Sequence, residues 1–489
     1  MKKILISCCL LVLSVSIFVG CGFFSDDVKV GTVDEFLAAL DDDKYGSIIL
    51  TDDLDFSVYE WPTIYDLSLE GEGHTIKNVS IERADGDSVG MFPSGEDVSI
   101  GMRDVTIENL TVNYYGTGSN IGGLMGRIHD DGTGEIQLSL KNVKITGKVY
   151  APSATNVGGV IGSVHGDLYN YGTQYYAYLT DVESNVEVIG NSYVGGVVGK
   201  IGYAKALNSF FDQVMGNSGT EYSKYGAAKF ENVTNKGTVT ANGSYAGGIA
   251  GAAYTLNDRI EDCRNSGTVK AKTHAGGLFG MAILSLCSDL ENEGLVKTTS
   301  SVSTEDYHYA GGIAGAMYTV NQSKNLKNSG TIESSGNGVG GIAGFIDSTS
   351  LLECSNSGKI TGVGKCGGIA GLNQNISYLL CKNEGEIVST GTSVGGISGY
   401  CINGFFNMCT NSASVSGSDK VAGIVGECFI GENDEATVAG STNSGSVTSG
   451  GYAAGIIGYS NSSNIKDVDT SSNTGEIMGN TTDEIANIE

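Results

Sequence analysis

Gly247-Gly248-Ile249-Ala250-Gly251, followed by Asn265-Ser266-Gly267-Thr268-Val269, is the stretch that decides the fold. The first phrase (small, Gly, branched aliphatic, apolar, Gly) returns eleven times, beginning at Gly122, Gly158, Gly195, Gly247, Gly276, Gly311, Gly340, Gly367, Gly395, Ala422 and Ala454. From Gly247 onward the spacings are 29, 35, 29, 27, 28, 27 and 32 residues. The second phrase, Asn-x-Gly, keeps step at Asn235, Asn265, Asn292, Asn328, Asn356, Asn383, Asn443 and Asn473, and at Asn411 with Ala413 replacing the glycine. Two signals in phase over so many periods mark a stacked repeat architecture, in which each coil buries its apolar face against its neighbours. Parallel in-register coils put the same residue of every repeat into a column. The Asn column therefore reads as an internal asparagine ladder, each amide bonding to the ones above and below. Asn also tolerates left-handed backbone, so the same residue is expected to make the bend, with the following Gly easing the change of direction. The fold class expected is all-β, a single-stranded parallel β-helix of roughly twelve coils, about 55 Å long at ~4.8 Å per coil.

Ahead of the repeats, Thr32-Val33-Asp34-Glu35 forms a capping box, with Phe36, Leu37 and Leu40 at helical spacing. A helix of about eight residues ending near Asp41-Asp42-Asp43 would cover the first coil, whose open edge would otherwise recruit other strands. The run from Ile48 to Asp55, and that from Leu69 to Ile76, resemble the opening coils of pectate-lyase-like right-handed β-helices. The Gly-Gly-Leu-Met-Gly and Gly-Gly-Ile-Ala-Gly copies with their paired Asn-Ser-Gly resemble the GLUG-type repeat of bacterial surface proteins. The resemblance implies a right-handed helix and a surface role, and says little about activity.

Lys2 and Lys3 precede an apolar run from Ile4 to Val19, which reads as an export signal too short for a membrane span. Phe18-Val19-Gly20-Cys21 resembles the lipobox of bacterial lipoproteins, with Phe18 where Leu is usual, and the resemblance implies lipid attachment at Cys21. The division expected is a signal peptide over 1–20, a lipidated tether over 21–30, a cap and opening coils over 31–115, the GLUG-like β-helix over 116–480 and a tail over 481–489. The net charge of -27 disfavours nucleic acid and anionic lipid surfaces as partners. Outside the leader and Cys21 the cysteines follow the repeat. Cys263, Cys354, Cys381 and Cys409 each precede a ladder Asn by two, and Cys401 and Cys428 share another column. They read as an inward stack of small apolar thiols, with vertical disulfides allowed by the spacing of adjacent coils. No spacing suggests a zinc site.

Function is then sought where the repeat departs from uniformity. The stretch from Gly199 to Asn235 is far longer than an ordinary coil and includes a helix candidate over Ala204 to Met215. The coils at Arg127 to Thr155 and Ser163 to Asp181 are enlarged and tyrosine-rich, and smaller bulges occur at Thr298 to Tyr307 and Gly431 to Ala439. Projecting loops on a rigid scaffold are where recognition concentrates. The residue before the apolar start of each motif forms a further column: Tyr193, Tyr245, His274, Tyr309 and Tyr452, with Lys365 and Lys420. Facing outward, it makes a candidate ligand-binding stripe; the same rings also suit pairing with their vertical neighbours.

Catalytic signals are sparse. Asp52, Asp53 and Asp55 belong to a strand and its turn. His129-Asp130-Asp131 and His165-x-Asp167 are the best catalytic or metal candidates, and turn formation accounts for them as well. The chain has no His-Glu-x-x-His, calcium-binding glycine repeat or phosphate loop. The reading is a lipid-anchored protein on the extracellular face of a bacterial envelope, a non-catalytic adhesion scaffold for glycan or protein, with no cofactor or metal. The alternative is a carbohydrate-active enzyme with a groove beside residues 127–232.

Overall fold

The computed structural model describes residues 27–40, 46–95, 98–129, 136–165, 176–202, 228–255, 259–284, 287–300, 308–319, 322–432 and 434–480. The leader, Cys21, Asp41 to Asp43, Asp130, Asp131, Asp167, the 204–225 excursion and the tail over 481–489 lie outside them. The fold is a parallel β-helix. Its strands form one continuous sheet of 44 strands and a second of 11, every neighbour parallel. The smaller sheet runs from Ser119–Gly122 to Ala453–Ala454, one short strand for each copy of the glycine motif. Among the described residues there is one α-helix, Val33–Leu40, and none long and apolar enough to cross a membrane.

The asparagine ladder is present as expected. From Asn235 to Asn473 each Nδ2 donates to the Oδ1 of the next rung at 2.7–2.8 Å. It also donates to the carbonyl two residues on, at 2.9–3.1 Å. Both amide hydrogens and the oxygen are thereby used, which is what lets a polar group sit in an apolar lumen.

The two sequence phrases are locked in phase because they touch across the lumen. A Cβ on Gly277 would overlap both Gly312 O and the amide of Asn292 in its own coil. Gly294, the glycine of the Asn phrase, lies against the carbonyl of Gly267 one coil below. One expectation fails. The ladder asparagines are not left-handed; that conformation belongs to an outer column including Asp104, Asn142, Asp181, Asn232, Asp262, Asp289 and Asn325. An Asn whose amide must point inward to its counterparts keeps an extended backbone, and the bend moves to residues free to face solvent.

The side-chain alternation also slips at the last glycine of the motif. Phe279 and Ala282 both enter the main core, while Met281 and Ile283 face outward into a separate cluster. A Cβ on Gly280 would crowd the backbone of Tyr245 and Ala246 in the coil below. The glycine thus lets the two legs of the bend approach backbone to backbone, a role that requires no positive φ.

The helix covers the first coil. Its capping box forms as read, with Glu35 N–H donating to Thr32 Oγ1 at 3.2 Å and Glu35 Oε2 accepting from the N–H groups of Thr32 and Gly31. Phe36 is fully buried, its ring 6.1 Å from Phe56 and 5.9 Å from Trp61. The stack is longer than the repeat count predicts. Pairing runs unbroken from Val28–Val30 through Ile48–Leu50, Asp66–Glu70 and Ser99–Tyr114 to Ile465–Lys466. The coils before Gly122 lack the motif but stack by the same hydrogen bonds. All eight described cysteines are buried free thiols, and Cys401 and Cys428 meet Sγ to Sγ at 3.4 Å. Burial pushes the thiols of Cys263 and Cys366 up to about 12.

Candidate functional site: an outer corner along eleven coils

The sharp bend at each glycine motif creates a corner outside the lumen, with one wall from each leg. The first wall is the column before the motif's apolar start. In register it reads Asn120, Asn156, Tyr193, Tyr245, His274, Tyr309, Gly338, Lys365, Ser393, Lys420 and Tyr452. The second wall is the residue just after the motif's last glycine: Arg127, Ser163, Lys200, Ala252, Met281, Ala316, Phe345, Leu372, Tyr400, Glu427 and Tyr459.

Four of the five expected ring residues come together. Tyr193 and Tyr245 stack with centroids 5.0 Å apart and planes 2° apart. Tyr245 stacks on His274 at 4.7 Å, and His274 meets Tyr309 edge-on at 5.3 Å. Tyr309 continues onto Phe345 of the opposite wall at 5.3 Å. Tyr452 shares the column but is separated from this group by Gly338, Lys365, Ser393 and Lys420, and is 37% exposed. The stripe does face away from the lumen. Its rings nevertheless use their faces on one another, and Tyr309 is buried.

Sequence reasoning missed the second wall. Ala252, Tyr254, Met281, Ile283, Tyr309 and Ala316 form a buried apolar cluster of their own, with Tyr193, Tyr245, Tyr318, Phe345 and Leu372 packed against it. The motif's last glycine marks where a bend can fall, but not that the alternation slips there and turns the next residue outward. Tyr193 and Tyr245 adopt left-handed backbone, φ 54° and 64°. That conformation is strained for a bulky residue, costing about 1–3 kcal/mol, and the stacking and burial of the rings offset it. Burial holds His274 down at about 4 and raises Tyr254 and Tyr318 above the ordinary phenol range.

The corner changes character along its length. Near the start it is polar: Ser163 Oγ and Asn156 Nδ2 both donate to Asn120 Oδ1, at 2.7 and 3.0 Å. His129 and His165 occupy successive rungs of the next outward column, and His165 is held down at about 4 by burial and by Arg127 and Lys200. Toward the end Lys365 lies 4.9 Å from the Tyr400 ring centroid. Lys420 lies 4.0 Å from that of Tyr459 while pairing with Glu427 at 2.7 Å.

The expected carboxylates Asp53 and Asp55 are each engaged by strand and turn partners. Asp53 binds Lys77 at 2.9 Å and accepts from Thr75 N–H; Asp55 accepts from Ser57 N–H and Asn78 Nδ2. These bonds hold both carboxyls below the usual range, as for Glu35. Among the described residues no group of three His, Cys, Asp or Glu could hold a metal ion.

Residues 27–151 match the family described as "Putative pectate lyase-like adhesive domain". Halomucin of Haloquadratum walsbyi is 38% identical over 82 residues, which are 17% of this chain and 1% of that protein. Among solved structures, a "putative immunoglobulin A1 protease" from Bacteroides ovatus covers 74% of this chain and 76% of its own, with 14% identity and a TM-score of 0.31.

Proposed function

We propose that this chain is a cell-surface adhesion scaffold that binds an extracellular glycan or protein along the outer corner, anchored by lipid at Cys21. The observation that carries the reading is the corner itself. It is an outward, rung-by-rung lined surface on an otherwise self-repeating helix, and its lining changes from polar to aromatic to ion-paired. The adhesive description of the family matched over residues 27–151 supports it. Among the described residues, the carboxylates with shifted acidity, Glu35, Asp53 and Asp55, are shifted downward by turn and strand partners, whereas general acid catalysis by a carboxyl needs a raised one.

The test is a glycan and surface-protein array probed with the mature chain, followed by product analysis on every hit. Binding with the ligand recovered intact is expected; released oligosaccharide would replace this reading by the enzymatic one. Lipid anchoring is tested separately: Cys21→Ala is expected to release the protein into the medium, and retention in the membrane fraction would refute attachment there.

A further inference from the structure

Five of the eight buried thiols donate to main-chain carbonyls. Cys263 reaches Glu261 O at 3.3 Å, Cys354 Leu352 O at 3.5 Å, Cys366 Gly364 O at 3.4 Å, Cys381 Leu351 O at 3.5 Å and Cys409 Tyr378 O at 3.6 Å. Each serves as a small lumen residue whose weak S–H donor is used. Cys401 is turned elsewhere: its S–H points at the sulfur of Cys428, 3.4 Å away. The two residues stand in register on adjacent parallel strands, Ser398–Ile402 and Val425–Phe429. Adjacent rungs lie ~4.8 Å apart, so the two sulfurs lean together instead of standing parallel. The same rung spacing falls inside the ~4.4–6.8 Å between Cα atoms that a disulfide spans.

The pair also sits where a covalent link has most to hold. Among the described residues, the strand of Cys428 is followed in its column by one more, Ile457–Ser460, with Cys428 in register with Ser460. Coils at the end of a stack have a neighbour on one side only and open most readily. Both sulfurs are fully buried, and the contact with Cys428 together with burial holds the Cys401 thiol well above its usual range. The thiolate is the attacking species in exchange. Exchange therefore belongs to the stage at which the Cys428 coil is still undocked, and docking then encloses the product.

We propose that Cys401 and Cys428 are a modification site, joined in a vertical disulfide that clamps the last coils of the stack. The reaction is exchange with a small-molecule disulfide such as oxidised glutathione. One cysteine thiolate attacks the reagent and expels one of its halves as a thiolate. The second cysteine, deprotonated in turn, attacks the mixed disulfide and expels the other half. One S–S bond forms in the protein and one breaks in the reagent; two electrons and the two thiol protons pass to the released thiols. The bond is independent of what the outer corner binds.

The test refolds the full chain from denaturant with oxidised and reduced glutathione, alkylates it in denaturant without reduction, and maps its peptides by mass spectrometry. The peptides of Cys401 and Cys428 are expected to be linked and lighter by two hydrogens than their sum, with Cys354, Cys381 and Cys409 alkylated. Alkylation of Cys401 and Cys428, or a link among Cys354, Cys381 and Cys409 in its place, would overturn the assignment. Hydrogen exchange then compares the linked chain with the reduced one. Amides of Val425–Phe429 and Ile457–Ser460 are expected to exchange more slowly when linked, by roughly tenfold or more, a difference that Cys401→Ser abolishes. Equal exchange in the two forms would overturn the clamp. Should the chain not refold, oxidised glutathione supplied during cell-free synthesis yields the same peptide map and is judged by the same outcomes.

Discussion

The lumen and the outer corner are both built from columns, yet one repeats itself and the other does not. Inside, Asn follows Asn for nine rungs, because each amide must satisfy the one before and the one after it. Outside, Asn, Tyr, His, Gly, Lys and Ser alternate in a single column, since each residue answers to an opposite wall that itself varies, and exposure runs from buried Ser393 to Tyr452 at 37%. Self-complementarity enforces uniformity; pairing with a second, varying column releases it.

The comparison is broken most directly in the lumen. Asn356→Leu removes a rung and strands the Asn328 amide and the Asn383 oxygen, each costing about 1–3 kcal/mol when left unpartnered. A loss of roughly 3–5 kcal/mol is expected in denaturant melts, with hydrogen exchange rising chiefly in the flanking coils. A loss under 1 kcal/mol would show that the ladder contributes little. In the corner, Tyr309→Ala deletes a ring 7% exposed that meets His274 and Phe345. Its expected cost is about 3 kcal/mol, confined by the same exchange measurement to the corner strands; an unchanged melt would mean that the rings merely coexist.

Acid offers a third probe. His274 has its basicity depressed to about 4 by burial and by His308, so the unfolded chain binds the proton first. Its contribution is present above about pH 6.5 and is lost as pH falls toward and below 4, an effect of roughly 3 kcal/mol at its limit. Protection in the corner should decline over that window, and a His274→Gln variant should lose this dependence; an identical profile in the variant would refute the assignment. The smallest effect belongs to the surface pairs. Lys297→Met should change stability by less than about 1 kcal/mol, and a larger loss would mean that vertical ion pairs, as well as columns, hold the coils.

What the chain discloses on reading follows the same division. The coil, the ladder, the cap formed by Thr32 and Glu35 and the inward thiols were legible, because each is enforced by contacts a repeat makes with itself. The location of the left-handed bend was not, since Asn265 and Asp262 are both plausible there and only the inward aim of the Asn265 amide decides. The Tyr193 column was visible as a stripe, but its partner wall at Lys200, Met281 and Phe345 was hidden by the slip of alternation at Gly280, a tertiary event with no local residue preference.

The stacked motif also fixes how such a molecule can change its size. Since Gly277 answers to Asn292 within one coil and Gly294 to Gly267 in the next, a whole coil is the smallest unit that can be added or removed without mismatch. The helix Val33–Leu40 seals one terminus of the stack against such growth. The length of the stack is then set in steps of ~4.8 Å, each duplication carrying one more pair of corner positions open to new chemistry.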